Sequence, residues 1–284
     1  MALRTVSLDE LIIDDESAVK HVALYDRLKQ ALRRSQHRFV IPATSGEISW
    51  DRALFLNLTY WSNEGGGGTD VLCDEHIPAD VVAHVAWHHV VSRELGRRRA
   101  ASASSGTAEP ADRPSGGALF FAEAIASAFD LYLVGRLLEH QPDSDFITTQ
   151  VPLIAERASA AGVSEAAFAS LLADIARDPE RAFEDMRALL FDVAGALLSC
   201  TNAPAAEEVL ARFPGHRFEP LLHHFELSNW ILYARAYGAE RSPVDAAVAA
   251  MHGALRAAPV ALDVLAEWID ADLPSATNSV STIS

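Results

Sequence analysis

His84 and His88 stand four residues apart in PADVVAHVAWHHVVSRELG (78–96), and Glu123, Ser127 and Asp130 follow in ALFFAEAIASAFDLYLVGRLLE (118–139). On an α-helix, positions four apart differ by only about 40° around the axis, so the two imidazoles project side by side and can hold one ion. Val81, Val82, Val85, Trp87, Val90 and Val91 make the other faces of the first helix apolar, so it is expected to be buried. A buried imidazole without partners costs on the order of 1–3 kcal/mol. In the second helix Glu123, Ser127 and Asp130 are spaced i, i+4, i+7 along one stripe, among Leu119, Phe120, Phe121, Ile125, Phe129 and Leu133. A buried carboxylate needs a cation, a metal or several hydrogen bonds. The simplest closure is a metal held by His84, His88 and Glu123. The alternative is a set of core histidines hydrogen-bonded to carbonyls or to Asp130.

The elements that must position these residues are legible around them. Residues 17–34 carry Val19, Val22, Leu24, Leu28 and Leu32 at helical spacing, with acids before and bases at the end. HRFVIPAT, GEISW, ALFLNLTYWS and TDVLCDE then alternate or are rich in β-branched and aromatic residues, between Pro, Ser-Gly and the Gly65–Gly68 run. They predict a small sheet of about three or four strands, ending where Pro78 and Asp80 open the histidine helix. Residues 97–117, RRRAASASSGTAEPADRPSGG, lack apolar periodicity and read as a mobile loop, either a surface insertion or a lid between the two site helices. Beyond 145, helical periodicity runs through about 147–161, 164–177, 179–199, 205–213, 219–237, 243–257 and 259–270, before a polar tail expected to be disordered. The fold class expected is α+β and predominantly helical. Residues 1–140 form an α+β portion, 141–272 a helical portion and 273–284 the tail.

This arrangement resembles the gluzincin branch of the zincin metallopeptidases, in which a small sheet precedes a helix bearing HExxH and a later helix supplies a glutamate in an NEAxxD-like context. His84-Val-Ala-Trp-His88 corresponds to the first motif and Ala122-Glu123-Ala124-Ile125-Ala126-Ser127 to the second, within roughly residues 39–135. The resemblance implies a zincin-like fold, zinc on His84, His88 and Glu123, and a small-molecule or peptide substrate. Val85 stands where the family has its general base, so the usual peptidase mechanism lacks its proton acceptor. Ser127 occupies the position of the family's acid behind the ligands, and Asp130 one turn on is placed to orient a histidine. His89 and Glu94 are candidate substitute bases, although His89 points about 100° away from His88.

Two histidines and one carboxylate are equally the ligand set of mononuclear iron oxygenases, so iron stands beside zinc. His223, His224 and Glu226, in EPLLHHFELSNWILYARAY (219–237), are candidate cleft residues, with His223 as the substrate-contacting one. Three functions follow: a metal-assisted reaction other than standard peptidolysis, an iron-dependent oxidation, or a binding protein without catalysis.

The bulk of the chain narrows the field further. It has 284 residues, 50% of them hydrophobic, enough for a substantial core. A formal charge of −16 repels phosphate backbones, and Arg97–Arg99 is too short a run to offset that field, which argues against nucleic acid. Cys73 and Cys200 match no redox or zinc-knuckle spacing, and Cys73 lies beside Asp74 and Glu75, which disfavours a thiolate. The Gly65–Gly68 run lacks a following lysine and is no phosphate cradle, and no Gly-x-Ser-x-Gly motif occurs. MALRTVSLDELIIDDE carries acids where a secretory signal has an apolar run, and no charge-free apolar stretch of about 20 residues appears. A cytoplasmic protein with no membrane span is expected, and the sequon at Asn57 is then without consequence.

Overall fold

The strand that precedes the histidine helix is held in place by the N-terminus of the chain. In the computed structural model, which describes residues 3–43, 70–103, 115–236, 238 and 245–271, β2 (Ile12–Asp14) pairs in parallel with β5 (His76–Pro78), with Ile13 opposite Ile77. The His76 ring Nδ1 lies 2.9 Å from Asp14 Oδ1 at the edge of this pair. The chain passes directly from Pro78 into α3 (Ala79–Ala103), so the strand pair sets where the turns bearing His84 and His88 begin. A second sheet has the order β1-β3-β4, with β1 (Leu3–Ser7) antiparallel to β3 (Arg38–Pro42) and β4 (Asp70–Val71) parallel to β3.

The predominantly helical class with a small sheet is as expected, but the strands differ in detail. The N-terminal strands β1 and β2 carry no strong local signal of their own; each is made by pairing with a segment far along the chain. HRFVIPAT contains β3, and TDVLCDE contains β4. GEISW and ALFLNLTYWS fall outside the described residues, as do the Gly65–Gly68 run, Asn57 and the tail. The first amphipathic segment is two helices, α1 (Glu16–Val19) and α2 (Ala23–Ser35), rather than one.

The core is built around α4 (Gly116–Leu137), which is apolar apart from the Glu123, Ser127 and Asp130 stripe and Arg136 near its end, and buries Phe120, Phe121, Ile125, Phe129 and Leu133. A helix of this kind has no solvent face and must be surrounded. By length and composition alone it could cross a membrane, but 78% of its most apolar window is buried inside the protein. It packs against α3 on one side and most extensively against α7 (Pro179–Leu198) on another. Around them lie α5 (Asp145–Ala160), α6 (Glu165–Arg177), α8 (Ala203–Leu210), α10 (Ala246–Ala257) and α11 (Ala261–Asp270). One hydrophobic cluster runs continuously from Val6 to Ile269.

Two boundaries move relative to the sequence reading. The expected loop over 97–117 does not begin at Arg97, because α3 continues to Ala103. Glu94 reaches forward to Arg97 and Arg98 at i+3 and i+4, the spacing that stabilises a further helical turn, and Arg99 pairs with Asp245. Residues 104–114 lie outside the described part. The segment 219–237 is not one helix either: a 3-10 turn, Glu219–Phe225, and α9 (Leu227–Ala236) meet at Glu226, whose backbone is left-handed with φ 47°. Apolar spacing reads alike for both turns, so the break is invisible in the pattern.

Candidate metal centre

Two consecutive helices bring the ligands together. His84 and His88 lie one turn apart on α3, with ring centroids 5.1 Å apart and ring planes tilted by 33°. Glu123, in the second turn of α4, inserts between them. Its Oε2 is 3.6 Å from His84 Nε2, and its Oε1 is 3.6 Å from His88 Nε2. One donor atom from each residue lies within 4.8 Å of the other two, close enough to hold a metal ion. Ligand bonds of about 2.0–2.1 Å in a tetrahedral arrangement place donors about 3.3 Å apart, so only small side-chain adjustments separate this geometry from coordination.

Asp130 stands behind His84, with Oδ2 3.5 Å from Nδ1. That leaves Nε2 facing Glu123, the tautomer and orientation a metal-ligating histidine needs. The three candidate ligand side chains are partly covered by protein and retain 30%, 17% and 32% of their surface.

The electrostatics favour a cation. Burial pulls the His84 pKa down, but Asp130 and Glu123 outweigh it and hold the ring well above its ordinary value. Burial raises Glu123, and the two histidines reverse this, keeping it far below the usual carboxylate range. Asp80, one turn before His84, is pushed up to about 6 by burial and by the neighbouring Asp130 charge. Three carboxylates, Glu123, Asp130 and Asp80, therefore gather around the two imidazoles, and a divalent ion suits that concentration of acidic groups.

The remaining predicted residues are spread over the molecule. Ser127 is buried and, with Asp130, lines a cavity of about 240 Å³ between α4, α5 and the 3-10 turn. His89 faces away from the triad toward His37, at a ring separation of 6.4 Å, and His37 is bonded to Asp70 at 2.9 Å. Burial first, then the His37 and Arg93 charges, bring His89 down to about 4, so it is neutral. Glu94 is buried and holds Arg97 through two bonds of 2.8 and 2.7 Å, and Arg98 through a third of 2.5 Å. His223 lines a separate groove of about 940 Å³, whereas its neighbour His224 lines the cavity beside Asp130. Asp80 is the addition of the structure to the expected site, and of the candidate cleft residues His224 and Glu226 line the cavity beside Asp130. Asp80 was detectable, since it precedes His84 by four residues on the same stripe. Nothing local distinguishes His224 from His223.

No protein family, curated protein or solved structure matches this chain. The metal-binding potential therefore rests on the geometry of His84, His88 and Glu123, and the zincin likeness on the motif residues alone.

Proposed function

We propose that this protein binds one divalent transition-metal ion through His84, His88 and Glu123, and promotes a metal-assisted reaction, other than standard peptidolysis, on a small substrate in the adjoining cavity. The observation that carries it is the convergence of three donors from two buried helices, with Asp130 on the outer nitrogen of His84. Zinc is the ion proposed. Bound there, it would supply Lewis-acid polarisation of a substrate oxygen.

The other steps belong to the chain. Val85 is buried among apolar neighbours and offers no proton acceptor beside the ligands. His224 is the group proposed to take a proton from the substrate side. It shares the cavity with Asp130 and Ser127, and burial, more than the nearby charges, lowers its pKa and keeps it neutral and able to accept. Asp130 holds the His84 ring in place.

Metal analysis of tag-free protein tests the site. Wild-type protein is expected to carry about one ion per chain, and His84→Ala and Glu123→Ala each at least tenfold less, with far-UV helicity preserved. Full metal content in both variants would show that the triad is not the site. Stoichiometric iron with oxygen consumption, instead of zinc, would move the chemistry to oxidation on the same ligands.

A further inference from the structure

The cavity beside the triad has a polarity that selects its occupant. Asp130 is divided between two environments: Oδ2 lies against His84, while Oδ1 is shielded from solvent and has no hydrogen-bond partner. A carboxylate oxygen withdrawn from water without a donor is unfavourable, and a bound donor or cation is one way to offset that cost. The cavity it borders is also lined by a second carboxylate, Glu226. Glu226 is fixed by its left-handed backbone and by a bond of 2.7 Å from Asn229 Nδ2 to Oε2. Leu131, Val134, Phe146, Ile154 and Phe225 supply apolar wall, and Ser127, Gln150 and His224 complete the lining with polar groups. Arg157 borders the neighbouring groove, which Glu226 also lines, and no arginine or lysine lines the cavity itself.

We propose that this cavity, between α4, α5 and the 3-10 turn, binds a small organic ammonium ion, with the charged nitrogen between Asp130 and Glu226 and a compact apolar body against the leucine, isoleucine and phenylalanine walls. A volume of about 240 Å³ lies below the range typical of drug-sized ligands, which selects a free small amine. An anion is disfavoured by the two carboxylates, and a neutral isostere lacks the charge to pair with either of them. Ammonium recognition extends the metal reading to the substrate end of the same site and rests on it for what happens after binding. The binding itself does not require the ion.

Titration calorimetry with three probes that share a phenylethyl body, 2-phenylethylamine, 2-phenylethanol and 3-phenylpropanoate, tests this on the whole protein, both metal-loaded and chelator-treated. The amine is expected to bind saturably in both forms, at least tenfold more tightly than the alcohol, with no binding of the carboxylate. Glu226→Gln is expected to weaken the amine about tenfold and leave metal content unchanged. Absent amine binding, equal affinity for amine and alcohol, preference for the carboxylate, or an unchanged affinity in Glu226→Gln would each overturn the assignment. So would amine binding seen only in metal-loaded protein and lost in His84→Ala, since that is coordination to the ion and not recognition of an ammonium group. Failure of the metal reading shows instead as absent metal with amine binding intact.

Discussion

At the scale of single residues, two enclosed histidines are driven in opposite directions by their neighbours. His84 is flanked by carboxylates; His252 is flanked by guanidinium groups, with Nδ1 3.1 Å from Arg187 Nη1 and its ring 4.6 Å from that of Phe191. Burial first, then Arg187 and Arg256, lower His252 from 6.5 to about 4, and Asp192 at 3.6 Å does not restore it. The folded-state pKa is thus below the unfolded value, so the unfolded chain binds a proton that the folded one refuses between 6.5 and about 4. Stability present above 6.5 is lost as pH falls through that window. His252→Gln is expected to flatten this acid slope, as read from urea midpoints at about pH 7 and about pH 4.5. Identical slopes in the two proteins would remove His252 as the cause. The sign at His84 is the reverse: in metal-free protein its raised pKa contributes stability below the ordinary value, which fades as pH rises through the folded-state value.

Among the described helical glycines, the tightest surroundings are those of Gly135 in α4. A Cβ there would lie 2.8 Å from the Ile175 carbonyl oxygen and 2.9 Å from Pro179 Cβ, both rigid groups where α6 gives way to α7. Alanine gains about 1 kcal/mol of helix propensity, but forcing these elements apart costs about 1–3 kcal/mol, so Gly135→Ala is expected to be net destabilising. Gly195 in α7 supplies the control, because a Cβ there meets nothing within 4 Å. Gly195→Ala is expected to stabilise by up to about 1 kcal/mol. Denaturation midpoints that move in the same direction for both would contradict the tight packing at Gly135. At this scale the sequence is informative where periodicity is local, as in α3, α4 and α7. It is poor where pairing or a backbone twist intervenes: β1 exists because β3 is opposite it, and Glu226 divides a segment whose apolar spacing looks continuous.

Across the whole molecule, an ion at the triad would join α3 to α4, the helix around which the rest packs. Ligand that binds only the folded state stabilises it, by about 2.7 kcal/mol when free metal is a hundredfold above Kd. For a chain of this size each kcal/mol moves Tm by about 2–4 °C, so metal addition is expected to raise Tm by several degrees, chelation to reverse this, and Glu123→Ala to abolish it. A metal-independent Tm in the wild-type protein would show that no ion is bound in the native state.

What the sequence determined by itself was each half of the site: His84 beside His88, and Glu123 in line with Ser127 and Asp130. Helical periodicity places residues three or four apart on one face whatever the surroundings. Only the tertiary structure decided how the halves meet. It set Glu123 between the two imidazoles, Asp130 against the outer nitrogen of His84, and Asp80 in the same charged cluster. It also turned His89 toward His37 and brought His224, not His223, to the cavity at Asp130. Those choices depend on how α3 and α4 are rotated against each other and on the left-handed junction at Glu226. Contacts distant in sequence set both, and local spacing carries no record of them.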